Sequence, residues 1–360
     1  MPGPLKGLQI IEMAGIGPGP LAGQLLADLG ADVIVVDRAA APVDKTDINR
    51  RGKRSIVLDL KTDDGRATAR TLINRAGIVI EGFRPGVMER LGLGPSDLGQ
   101  HVIFGRITGW GQEGPLSQTA GHDINYLSLT GALAAMGSPD QPPMPPLNLV
   151  ADYAGGTMFL LLGLLSAVYE RQQSGKGQVI DSAMVDGVSA LMGLFHRFLA
   201  RGEWTLNRQT NMLDGAAPFY RCYKTADNKF ISVGPLEPQF HAILLEKAGL
   251  PQDHQKTQND RTTWEEKCAL YEKVFAKHTQ AEWSAIFTGT DACVAPVLNM
   301  AEALHHPHMA ARQTFSVVDS VLQAAPAPRF SRSQANQIPT PAAPGAHTAE
   351  ILAELENRKE

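Results

Sequence analysis

Leu8-Gln9-Ile10-Ile11-Glu12 is a short segment built on the apolar residues Leu8, Ile10 and Ile11, and the turn Gly15-Ile16-Gly17-Pro18-Gly19-Pro20 follows it. A helix-forming stretch, Leu21 to Leu29, comes next, and then a second apolar run, Val33-Ile34-Val35-Val36-Asp37. Short, largely aliphatic runs bounded by Gly and Pro read as buried strands, and a helix between two of them makes a βαβ unit with parallel strands. Outward from this unit, further strands are expected at 55–59, 78–81, 102–105 and 179–181, with a helix from Gly65 to Ala76. The alternation predicts an α/β fold with a Rossmann-like, doubly wound parallel sheet.

The pattern changes after Gly187. A helix is expected from Val188 to Ala200, a polar connection from Arg201 to Met212, and a hairpin from 219–223 and 230–233 around Ala226-Asp227-Asn228. Amphipathic helices are expected at 238–248 and 264–277. The chain thus divides into a large domain (1–187), a linker helix and connection (188–213), a smaller α+β domain (214–316) and a closing segment (317–360). Within the last, the Ala- and Pro-rich stretch 324–345 is expected to be extended, and Thr348 to Asn357 to form a helix with Ile351, Leu352 and Leu355 on one face.

Composition narrows the function classes. The net charge of −4 gives no reason to expect nucleic acid or an anionic membrane surface as a partner. Cys222, Cys268 and Cys293 are far apart, show no metal or disulfide spacing and suit a reducing cytoplasm. The amino terminus has no apolar signal core, and Asn357-Arg358-Lys359-Glu360 is not a peroxisomal tripeptide. The apolar run from Ala154 to Val168 is shorter than the ~20 residues that span a bilayer, so a buried core helix is expected there and no membrane span.

The glycine-rich turn invites a dinucleotide reading, with Asp37 at the end of the second strand. Pro20 stands where the third glycine of that motif belongs, and Pro18 and Pro20 lack the N–H donors a pyrophosphate needs. Basic residues recur near the strand ends: Arg38, Arg50, Arg51, Lys53, Arg54, Lys61, Arg84, Arg90 and Arg106. Two readings stay open for them, a site for a polyanionic ligand and scattered solvated charge.

Two blocks carry candidate chemistry. Gly121-His122-Asp123-Ile124-Asn125-Tyr126 and Pro146 to Gly156 each place an ionisable group, His122 or Asp152, ahead of an apolar helical run. A helix start offers unpaired N–H groups and a partial positive charge, so an imidazole and a carboxylate at two such starts could share one anionic site. Taken singly, His122 reads as a structural histidine, and Asp123 or Asp152 as a helix cap. His305-His306-Pro307-His308 is a surface loop on this reading, because the proline breaks helical pairing and no further ligand spacing completes a metal site. No metal site is expected.

With those blocks in hand, the chain resembles the family III CoA-transferase superfamily and, within it, the branch of α-methylacyl-CoA racemases, especially the bacterial ones. The resemblance runs nearly end to end through Leu8–Arg38, Arg54–Gly65, Glu81–Gly94, Arg106–Pro115, Gly121–Tyr126, Pro145–Gly156, Lys176–Gly187, Asn211–Tyr220, Gly234–Phe240 and Asp291–Val297. It implies a large CoA-binding domain to which 317–360 returns, and an interlocked homodimer with each active site at the subunit interface. It implies an acyl-CoA thioester as substrate, the CoA moiety being part of that substrate, and no other cofactor. His122 and Asp152 match the proton-transfer residues. The CoA contacts match Arg38, Leu58, Asp59, Leu60, Lys61, Gly82, Phe83, Arg84, Arg90, Gly121, Asp123, Ile124, Asn125 and Tyr126. Phe83 departs from the pattern, since relatives often carry Tyr there. Glu237 is the residue the resemblance offers to orient His122 from the other subunit.

The expected reaction is inversion of the α-carbon of a 2-methylacyl-CoA. His122 and Asp152 would face opposite sides of a planar enolate, whose charge would be met by N–H groups after His122, including that of Asp123. The alternatives are CoA transfer with Asp152 as nucleophile and a non-catalytic CoA-ester binding protein.

Overall fold

The computed structural model describes residues 3–333 and 338–357. Six strands, β1 (Gln9–Met13), β2 (Asp32–Asp37), β3 (Arg54–Val57), β4 (Ile78–Glu81), β5 (Ile103–Thr108) and β6 (Val179–Ala183), form one sheet. Their order is β3-β2-β1-β4-β5-β6, and every neighbouring pair is parallel. The strand order reverses between β1 and β4, and such a switch point opens a crevice beyond the carboxyl ends of the strands.

The sequence explains the layers. Ile11, Ile34, Val79 and Phe104 are 0–1% exposed and share a cluster with Leu72 and Ile73 of the Asp63–Ala76 helix. That helix starts where Thr62 Oγ1 accepts the Gly65 N–H at 3.1 Å, and ends at Gly77 in the left-handed region. The Pro18–Asp28 helix carries its prolines in the first turn, where the missing N–H groups have no helical partner to lose. It begins earlier than the apolar pattern suggested because proline at this position continues the glycine turn directly into helix.

The edge strand β3 is covered by the C-terminal segment. The N–H of Val57 donates to Thr348 Oγ1 at 3.1 Å, and Ile351 joins the core cluster. The expectation of an extended 324–345 falls partly on 334–337, and the terminal tetrapeptide partly on 358–360; those positions lie outside the described residues.

Most of the basic residues grouped near β3 face inward rather than toward a ligand. Arg51 grips Asp28 at 2.6 and 3.0 Å, Lys53 meets Glu12 at 2.6 Å, Arg50 holds Asp37 at 2.6 and 3.1 Å, and Arg54 holds Asp32 at 2.6 and 2.9 Å. Arg106 pairs with Glu89 and lies 3.6 Å from Glu81. The strand positions are visible in the sequence, but the carboxylate partners come from other strands and helices.

Residues Met1–Ala132, Pro146–Met192 and His308–Glu360 form one compact unit, and Leu133–Pro145 with Gly193–Pro307 form another. The second unit therefore begins at Gly193, before the expected polar connection ends. It also includes the excursion 133–145, tied to it by Arg208, whose guanidinium donates to the carbonyls of Ser138 and Gln141 at 3.1 and 2.9 Å. Its antiparallel sheet pairs Arg221–Lys224 with Phe230–Val233 and Phe230–Val233 with Val294–Pro296. Tyr223, Leu244, Tyr271, Phe275 and Trp283 fill the core beneath it. The hairpin starts later than expected because Phe219 packs edge-on against Trp264 instead of entering the strand.

Two helix expectations change. The single helix at 188–200 is two, Met184–Leu191 and Gly193–Ala200, separated at Met192; glycine is a poor helix interior residue. The apolar run at 154–168 belongs to a longer helical stretch, a π-helix Leu149–Thr157 followed by an α-helix Met158–Ser174. This stretch of 26 residues is long and apolar enough to cross a membrane by length and composition. Its inner side, Leu160 and Leu164, packs on β5 at Gly105, where a Cβ would come within 3.0 Å of either. Its outer side is not buried in the chain: Met158, Leu162 and Tyr169 are 46%, 63% and 67% exposed.

Candidate active site

The segments after β1, β2, β4 and β5 converge at the switch point and enclose a cavity of about 760 Å³. Residues 13–20, 37–39, 82–85 and 107–110 supply four walls, and Gly121, His122, Tyr126, Asp152 and Met184 also line it.

His122 is the residue before the Asp123–Leu129 helix. Its carbonyl accepts the N–H of Asn125 at 2.8 Å, and its own N–H donates to Asn125 Oδ1 at 3.1 Å. Asn125 is thereby occupied in fixing the backbone of His122, and it does not line the cavity. The imidazole itself is exposed. The N–H groups of Asp123 and Ile124 have no acceptor among the described residues.

Tyr126 is the pillar behind this segment. Its hydroxyl donates to the Gly121 carbonyl, and its ring meets Trp110 edge-on at 4.8 Å. At Gly109, a Cβ would fall 1.9 Å from the Tyr126 ring, so only glycine lets β5 pass this close.

Asp152 lies inside the first turn of the π-helix rather than at the start of an α-helix, because helical structure begins at Leu149. Its backbone N–H and that of Ala151 both donate to Asp123 Oδ2, each at 2.8 Å. Asn148 Nδ2 donates to Asp152 Oδ2 at 3.3 Å. Burial pushes the Asp152 carboxyl above its ordinary value; the Asn148 amide opposes this, the Asp123 charge adds to it and His122 opposes it. The turn after β1 is anchored beside it, since Thr157 Oγ1 donates to the Pro18 carbonyl at 2.9 Å and Lys53 Nζ to that of Pro20 at 2.8 Å.

The loop after β4 rests on a buried acid. Glu81, 3% exposed, accepts the Phe83 N–H at 2.7 Å, and burial pushes its carboxyl up to about 7 against the pull of that bond and of Arg106. Phe83 and Arg84 then face the cavity, as does Arg38 after β2.

Of the residues singled out in the sequence, the fold brings Arg38, Gly82, Phe83, Arg84, Gly121, His122, Tyr126 and Asp152 to one cavity. Leu58, Asp59, Leu60, Lys61, Arg90, Asp123, Ile124 and Asn125 lie off its lining. Leu58 is buried in the core cluster, and Asp59 Oδ1 accepts the Lys61 N–H at 3.0 Å. Glu237 belongs to the second unit, where it precedes the Pro238–Lys247 helix. Sequence reasoning missed Asn148, Trp110 and Glu81. Asn148 stood inside a block already singled out, but nothing in its spacing signalled a bond to Asp152. Among the described residues, no group of His, Cys, Asp and Glu could hold a metal ion.

The chain is 45% identical to the alpha-methylacyl-CoA racemase of Mus musculus, over 97% of this chain and 93% of that protein. It is 43% identical to the protein of the same name from Homo sapiens, over 98% and 93%. The crystal structure of a CAIB/BAIF family protein from Brucella suis superposes with a TM-score of 0.82 at 26% identity, covering 99% of this chain and all of that one. The sequence profile of CoA-transferase family III matches residues 5–348, and the chain belongs to that family.

Proposed function

We propose that this protein is a racemase acting on 2-methylacyl-CoA thioesters. The observation that carries the reading is the meeting of His122 and Asp152 in the cavity at the sheet's switch point, beside Arg38 and Arg84. Its setting is 45% identity, over nearly the whole chain, to a protein named for that activity.

The thioester's α-hydrogen is weakly acidic, and inversion needs one group to remove it and another to return a proton on the opposite face. The His122 imidazole and the Asp152 carboxyl, which burial lifts above its ordinary value, are suited to pass a proton to and from the α-carbon. The unpaired N–H of Asp123 would meet the enolate oxygen; one such donor is typically worth about 2.7–4 kcal/mol in the transition state. Arg38 and Arg84 lack a carboxylate partner among the described residues and are suited to phosphate groups of CoA. The exposed Met158, Leu162 and Tyr169 on one helix face fit coverage by a second copy of the chain, and Glu237 of that copy would orient His122. No cofactor beyond the substrate's own CoA is invoked, and the protein is proposed to act in the cytoplasm.

The test is incubation of a 2-methylacyl-CoA with the protein in deuterated water. α-Deuteration without an acceptor acid supports racemisation. Exchange of CoA only when a free carboxylic acid is added supports the transferase chemistry of the family name, and thioester binding without either reaction supports a binding protein.

A further inference from the structure

A helix start leaves its first N–H groups without helical partners, and a nearby side chain normally caps them. The π-helix Leu149–Thr157 has no such local cap: Asn148 precedes it, but its side chain donates to Asp152 Oδ2 instead. The cap comes from Asp123, in a different helix. A single oxygen, Oδ2, accepts the N–H groups of Ala151 and Asp152 at 2.8 Å each.

A neutral acceptor would satisfy those two donors. Asp123 is instead a carboxylate, 6% exposed, whose Oδ1 is buried without a hydrogen-bond partner among the described residues. A half-satisfied buried carboxylate is costly and calls for an explanation. Its surroundings supply one, because the backbone it grips is that of the residue whose carboxyl faces the cavity.

We propose that Asp123 is the positioning residue for Asp152: its carboxylate fixes the backbone that presents the Asp152 carboxyl to the cavity and keeps a negative charge beside it. The charge makes Asp152 a better proton holder, in keeping with the direction of its shift; the other groups acting on it are the Asn148 amide and the His122 imidazole, with Tyr126 close by. The consequence for catalysis rests on the racemase reading, whereas the consequence for Asp152 itself does not.

Asp123→Asn keeps an acceptor oxygen and deletes the charge; Asp123→Ala deletes both. Carbon-13 NMR of aspartate-labelled protein, with the Asp152 signal assigned by its loss in Asp152→Asn, follows the carboxyl directly. It is expected to titrate at lower pH in Asp123→Asn than in the natural chain. If the natural chain exchanges α-protons, the limb of its pH–rate profile set by Asp152 moves the same way. On the same assay Asp123→Ala loses roughly ten- to a hundredfold in kcat with KM little changed, as expected of a displaced catalytic group, and Asn restores part of the rate. An unmoved Asp152 titration in folded Asp123→Asn overturns the proposal. Absence of α-exchange in the natural chain overturns the racemase reading while leaving the titration to decide the role of Asp123.

Discussion

Gly17 and Asp152 meet at the mouth of the candidate site: with Gly17 at φ 72°, a Cβ there would stand 3.7 Å from Asp152 Oδ2. The distance is an ordinary contact, but the backbone conformation, φ 72° with ψ −125°, is one that side chains resist at roughly 1–3 kcal/mol. Gly17→Ala should therefore lower stability by about that amount in denaturant unfolding. Gly17→Val, with bulk aimed at the carboxylate, should in addition lower kcat.

Arg38 and Arg84, without a carboxylate partner among the described residues, are expected to act on binding. Charge-assisted hydrogen bonds are worth about 1.5–3 kcal/mol, so Arg38→Ala and Arg84→Ala should each raise KM for a CoA thioester about ten- to a hundredfold, with kcat much less affected. Steady-state kinetics at several salt concentrations checks this, and the salt dependence should weaken in both variants. Lys53 offers the contrast. It neutralises Glu12 in the core at 2.6 Å, so its loss should appear in stability rather than in KM.

These two groups of cations mark where the sequence stops being informative. Arg38 and Lys53 both flank strands, and nothing local separates the one that faces the cavity from the one that faces Glu12. The strands themselves were legible because β2 and β4 are near-continuous apolar runs, as parallel strands buried on both faces tend to be, and β1 carries the apolar pair Ile10-Ile11 just ahead of the glycine turn. His122 was legible because it stands directly before a helical pattern. The grip of Asp123 on residues 151 and 152 was not, since it joins positions 28 and 29 residues apart through backbone atoms that any sequence possesses. The π-helical turn was equally hidden, because the apolar run that follows reads as ordinary α-helix.

The second unit should carry its own acid sensitivity. His241 is 1% exposed with neither ring nitrogen hydrogen-bonded among the described residues, and burial, with the Lys267 and His254 charges, lowers its pKa to about 4. The unfolded chain therefore binds the proton first as pH falls. Stability linked to His241 is fully present above about 6.5 and is lost progressively down to about 4, by an order of 3 kcal/mol. Urea unfolding followed by tryptophan fluorescence across that range should show the slope, and His241→Leu should flatten it.

The apolar helix face makes an oligomeric prediction. Leu162, 63% exposed, is central to the Met158–Tyr169 stripe. Sedimentation equilibrium should find the natural chain at twice its single-chain mass. Leu162→Glu should shift it toward a single copy, since burying an unpaired charge opposes association.

The proposed two-base role of His122 and Asp152 is tested most directly by α-proton exchange on one enantiomer of a 2-methylacyl-CoA in deuterated water, read together with appearance of the other enantiomer. The natural chain should deuterate and invert the centre, while folded His122→Ala and Asp152→Ala should each lose inversion. Full inversion by either variant would contradict the account.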